Sequence, residues 1–150
     1  MDDSGIKNLL KAMKSQDIKV RVGILDDQAK RPDGASNAEI GLVHEFGSVK
    51  RNINENSFLR MPLNEVFTKR LEQYDLVKEE GIRREISALG SVSKLAEKIG
   101  ALAVSVIMEA FATGGFGQWK NTRPVNNRTG MPLRDTQRLM KSITFKVVKK

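Results

Sequence analysis

IKVRVGIL, residues 18–25, alternates apolar and polar side chains along its length. Ile18, Val20, Val22 and Ile24 fall on one side and Lys19 and Arg21 on the other, the pattern of a half-buried strand. SITFKVVKK, at 142–150, repeats the pattern, with Ile143, Phe145 and Val147 set against Thr144, Lys146 and Val148. Between these strands the apolar spacing lengthens to that of helices. Strands at the two ends with helices between them predict an α+β fold: a small antiparallel or mixed sheet packed with two longer α-helices. The first and last strands should share that sheet. Two strands alone make a weak sheet, so part of 48–58 is expected to add a strand, or a neighbouring subunit to complete it.

Working inward, residues 4–16 place Ile6, Leu9, Leu10 and Met13 at helical spacing. The polar stretch 26–36 is a turn-rich loop. Ser36 and Glu39 have the spacing of a capping box, opening a short helix with Ile40, Val43 and Phe46 along one face. Gly47 stands where a left-handed residue would end it. After a loop at 48–57, Pro62 suits the first turn of a second helix. That helix carries Leu63, Val66, Phe67, Leu71, Tyr74, Ile82, Ile86 and Leu89, with Gly81 as a point of bending or splitting. A third runs from about Ser93 to Ala112, lined by Leu95, Ile99, Leu102, Val106 and Ala110, with Ala96, Ala103 and Ile107 beside them. Residues 112–133, rich in glycine and with two prolines, read as a long loop. Asp135 is placed to cap a helical turn through Leu139 and Met140.

The 150 residues are enough for one domain, 1–150, to bury a core unaided. The chain has no cysteine, which excludes disulfides and thiolate metal sites. Its longest nearly apolar stretch, 99–108, is about half of a membrane span, so no membrane partner is expected. The net charge of +8 is unevenly placed. Residues 1–113 hold 17 Lys/Arg and 17 Asp/Glu, whereas 114–150 hold nine against Asp135 alone. Such an excess favours an anionic partner, whether nucleic acid or an acidic protein face.

The one histidine, His44, lies next to Glu45 and invites an acid–base or metal reading. On a helix the two would sit about 100° apart and share no face. There is no second histidine, no HExxH and no GxSxG, and GGFG at 114–117 lacks the Lys-Ser/Thr of a phosphate loop. Asp26-Asp27 and Glu79-Glu80 read as solvated carboxylates. The expectation is a structural His44, no enzymatic activity, no metal and no cofactor. Phe116 and Trp119 among basic residues could stack on bases, but no helix-turn-helix, RRM or zinc-finger pattern accompanies them.

Two segments together carry a resemblance. GLVHEFGSVKRNINENSFLRMPL, at 41–63, resembles the mark of bacteriophage tail-completion proteins, the group that includes virion morphogenesis and head-proximal tail proteins. In that mark a helix ends in His/Glu-Phe-Gly and a loop leads to Phe-Leu-Arg-Pro at the next helix. GQWKNTRPVNNRTGMPLRDTQRLMKSITFKVV resembles the family's second mark. It carries Trp119, then Pro132-Leu133, Asp135-Thr136, Leu139 and Ser142-Ile143-Thr144 before the last strand. Two features depart from the pattern. Asn-Ile-Asn-Glu-Asn replaces a proline-rich loop, and Met61 intervenes before Pro62.

The resemblance implies a structural virion protein at the head–tail junction, made in the host bacterial cytoplasm. It would form a homo-oligomeric ring, commonly a hexamer, that terminates the tail tube and joins tail to head. Its partners would be the tail tube protein and the neck connector, with possible non-specific contact with DNA in the channel. The alternatives are another neck ring (a stopper or adaptor) and a non-specific DNA-binding protein. Under this reading Lys50, Arg51, Asn52 and Asn54 in one loop, and Trp119, Lys120, Arg123 and Arg128 in the other, are the interface candidates. His44, Phe46, Gly47, Phe58, Leu59, Pro62 and Asp135 would determine the fold.

Overall fold

The computed structural model describes residues 4–25, 36–50, 54–119 and 139–149. Expectations placed on 26–35, Arg51, Asn52, Lys120, Arg123, Arg128 and Asp135 lie outside these residues. The described chain runs α1 (Ser4–Lys14), β1 (Ile18–Ile24), α2 (Asn37–Phe46), a π-helical segment (Pro62–Phe67) continuing into α3 (Thr68–Gln73), α4 (Glu79–Leu89), α5 (Val92–Thr113) and β2 (Ile143–Lys149). The fold is α+β: a small antiparallel sheet of the two end strands, packed with helices.

The two alternating stretches pair in antiparallel register, Ile18 opposite Lys149 and Ile24 opposite Ile143. Among the described residues no third strand joins them, and 54–58 runs as loop. The apolar face of the sheet lies against α5, the central helix. Gly100 on α5 makes that approach possible. A Cβ there would stand 2.3 Å from the Phe145 ring, so only glycine lets the ring of β2 cross the helix axis closely.

α5 organises two apolar clusters. Near its start, Leu95, Ala96 and Ile99 are buried with Leu9 and Met13 of α1, Ile18 of β1, Leu71, Leu76 and Ile82. Near its end, Ile107 is buried with Phe58, Leu139 and Ile143, flanked by Phe111, Leu59 and Trp119. The helix opens on Ser91, whose hydroxyl accepts from the N–H of Lys94 at 3.1 Å. It closes on Gly114 in the left-handed region at φ 63°.

Four expectations need correction. The second helix breaks at 74–78, not at Gly81: Asp75 takes a positive φ of 56° there. Gly81 instead lies inside α4, pressed on that break, where a Cβ would stand 1.8 Å from the Asp75 carbonyl oxygen. Tyr74, expected on the apolar stripe, is exposed, and Leu76 takes the buried position. α2 buries Asn37, Gly41 and Glu45 rather than the Ile40–Val43–Phe46 face. Gly41 is the reason: Ile24, Leu139 and Phe58 occupy the space of its missing side chain. Finally, the loop expected from 112 starts two residues later, because α5 continues through Thr113.

Candidate interface site

Ser36 caps α2 through its hydroxyl, which accepts from the N–H of Glu39 at 3.3 Å. Eleven residues later Gly47, at φ 73°, ends the helix, its N–H bonded to the Val43 carbonyl. The chain loops out and returns at Asn56, whose N–H donates to the carbonyl of His44 at 2.8 Å. A new helical stretch follows from Arg60. The start of any helix leaves four backbone N–H groups without an internal partner.

Glu45 supplies most of what that start needs. One carboxylate oxygen accepts from the N–H of Phe58 at 2.8 Å and of Leu59 at 3.0 Å. The other accepts from the N–H of Arg60 at 2.9 Å and from the hydroxyl of Ser57 at 2.8 Å. The fourth N–H, that of Met61, donates to Ser57 Oγ at 2.9 Å. A carboxylate at the end of α2 opposes that helix's own dipole, yet it lies at the positive end of the next helix. Glu45 therefore serves as a distant N-cap.

The arrangement is reciprocal. Arg60, at the start of the second helix, donates through Nε to Glu45 at 3.0 Å and through a terminal nitrogen to the Glu45 carbonyl at 3.4 Å. The same side chain pairs with Glu55 at 2.8 Å and lies 4.3 Å over the centre of the Phe46 ring. Each helix end thus satisfies groups of the other. Glu45 is only 4% exposed. Burial pushes its carboxyl up, but the N–H groups of Arg60 and Leu59, the Ser57 hydroxyl and the Arg60 guanidinium outweigh that. Its pKa is held below the ordinary carboxylate value.

Beside this clamp sits the turn after α5. Trp119 donates its indole N–H to the Ser57 carbonyl at 3.0 Å and meets Phe111 edge-on at 5.4 Å. Phe111 in turn packs on Phe58 at 5.5 Å. Gly115 makes room, since a Cβ there would fall 2.1 Å from the indole. Gln118 bonds Glu65 at 3.2 Å. The result is an open, largely polar cleft of about 350 Å³ lined by Asn54, Glu55, Ser57, Met61, Gln118 and Trp119.

The two loops singled out from sequence therefore meet here. Asn54 and Trp119 line one cleft, and Lys50 is exposed. Phe58 and Pro62 are buried, Leu59 packs beside them, and Gly47 ends α2. Phe46 is exposed on its outer side, although the Arg60 guanidinium covers its ring. His44 is half-buried and contributes its carbonyl to the loop.

Sequence reasoning missed Glu45, Ser57 and Arg60 as a unit. The available signal was Ser57 standing four residues before Met61, just ahead of Pro62. It also missed an apolar face. Leu42 and Phe46, one helical turn apart, are 60% and 54% exposed, and Val49 just beyond is fully exposed. Among the described residues no group of three His, Cys, Asp or Glu could hold a metal ion, and no helix could cross a membrane. The chain matches no family model, and neither a curated protein nor a solved structure gives a significant match.

Proposed function

We propose that this chain is a structural protein of the bacteriophage head–tail junction, a tail-terminator subunit that closes into a ring with copies of itself. One observation carries the reading: α2 leaves Leu42 and Phe46, one helical turn apart, more than half exposed, and Val49 in the turn after it is fully exposed. Large apolar side chains left in a group on a subunit surface mark a contact face. The face sits immediately outside the Glu45–Arg60 clamp, so a rigid element presents it. A heterologous contact of this kind closes into a ring when the rotation per subunit allows. Further support comes from the resemblance, because its motif residues Glu45, Phe58, Leu59 and Arg60 take part in the clamp and Phe46 lies under the Arg60 guanidinium. The cleft that joins Asn54 to Trp119 would then face a neighbouring subunit or the tail tube.

The test is the mass of the protein by light scattering, alone and with its cognate tail tube protein, followed by electron microscopy. A ring near 100 kDa, six times the chain mass of 16.7 kDa, is expected, either free or on tube ends. Phe46→Glu should prevent it while leaving the far-UV spectrum unchanged. A monomer that ignores tube protein and joins the head-side connector would move the chain to the neck. A monomer that ignores both would refute the reading.

A further inference from the structure

Chain order hides how charge is distributed in space. The described residues of 4–25 and 139–149, which make α1 and the sheet, hold eight Lys/Arg against Asp17 alone, a balance of +7. The remaining described residues, 36–50 and 54–119, hold nine against eleven, a balance of −2. That half neutralises itself: among the described residues the ion pairs all lie between Glu45 and Glu109. Among the described residues the basic half has none.

Three of its eight cations lie on the outward face of the sheet. Alternation sends Ile18, Val20 and Val22 toward α5 and Lys19 and Arg21 away from it. The register then sets Arg21 directly opposite Lys146, with Lys19 opposite Val148. All three cations are exposed. Like charges placed directly opposite on a sheet repel, so the monomer maintains a face that works against its own pairing. α1, which packs on β1, adds exposed Lys7, Lys11 and Lys14 along one stripe.

We infer that this sheet face is a contact surface for the phosphate backbone of duplex DNA. An acidic protein would match the charge, but protein interfaces are anchored by apolar or aromatic side chains. Among the described residues the exposed large hydrophobic residues are Leu10, Leu42, Phe46, Val49 and Tyr74, none of them on the sheet. Phosphate contact needs no such anchor, only closely set cations with donors. Spacing also fits. Lys19 and Arg21 are about 6.7 Å apart along the strand, the axial rise of about two phosphates on one DNA strand. The contact carries no base readout, so it is independent of sequence. It does not rest on the ring reading, and a ring is not needed to observe it.

The experiment is fluorescence anisotropy with a labelled mixed-sequence duplex, titrated at several salt concentrations. The wild-type chain should bind at low salt with affinity falling linearly on log–log axes. Combining Lys19→Gln, Arg21→Gln and Lys146→Gln should lower the magnitude of that slope by about 2.7, or about 0.9 per lost phosphate contact. The triple change Lys69→Gln, Lys78→Gln and Lys94→Gln, on the self-neutralised half, should leave slope and affinity alone. Circular dichroism checks folding. Should the sheet variant not fold, Lys146→Gln alone should lower the slope by about 0.9, and Arg21→Lys should preserve it. Four results would overturn the inference: no wild-type binding at low salt, an unchanged slope in the sheet variant, an equal loss in the control, or binding of poly-L-glutamate but not of DNA.

Discussion

The two ends of α5 hold the molecule together by different means. Around Leu95, the helix meets α1, β1, α3 and α4 through aliphatic side chains: Leu9, Met13, Ile18, Leu71, Leu76, Ile82 and Ile99. Around Ile107 it meets loops and chain ends, through Phe58, Leu139 and the Phe111–Trp119 pair, next to a buried carboxylate with five donors. The first end is a matter of area and volume, for which many sequences would serve. The second depends on one charged group meeting particular N–H groups, for which few would. The first end makes the fold; the second makes the surface by which this protein is proposed to assemble.

Changing Glu45 should separate the two ends most sharply. Glu45→Ala strands three backbone N–H groups and the Ser57 hydroxyl, and should cost about 3–5 kcal/mol by chemical denaturation. Glu45→Asp, one methylene shorter, should recover little of it. At the other end Leu95→Ala should cost about 2–5 kcal/mol from lost burial and the cavity left behind, whereas Leu95→Met should cost less than about 1.5. A Leu95→Met as damaging as Glu45→Asp would erase the distinction drawn here.

Gly100 lies between the clusters. Gly100→Ala should destabilise by about 1–3 kcal/mol through overpacking on Phe145. Adding Phe145→Leu should restore part of that loss, which would show that the ring contact is its source.

Acidity sharpens the comparison further. Because the folded pKa of Glu45 lies below its ordinary value, the carboxylate contributes stability that is fully present above the unfolded value of about 4.3. That contribution is lost as pH falls through the lower, folded value. Trp119 is the sole tryptophan and lies at this end, so its emission should report the acid transition. The same titration of Glu45→Gln should lack this component.

These differences also decide what could be read in the sequence. The strands and α5 were legible because each side chain's position relative to its near neighbours carries the information, at spacings of two or of three to four. β1 and β2 pair across the whole chain, yet their alternation alone sufficed to match them. Glu45 was not legible, because its partners lie 12 to 15 positions away and nothing local distinguishes a capping carboxylate from a solvated one. His44 drew attention by rarity, whereas its neighbour holds the site. The exposure of Leu42 and Phe46 was hidden for a related reason. Gly41 draws α2 onto Phe58 and Leu139 by its smallest residue, so the more apolar face turns outward. The break at 74–78 escaped because no glycine or proline marks it; Asp75 supplies the positive φ.

The most direct test is amide hydrogen exchange, compared between wild type and Glu45→Gln. The amides of Phe58, Leu59 and Arg60 should lose protection in the variant, while those in the first half of α5, around Ile99, stay as protected as before. Unchanged protection at 58–60, or an equal loss at both ends of α5, would contradict the claim that a single carboxylate holds this end of the molecule.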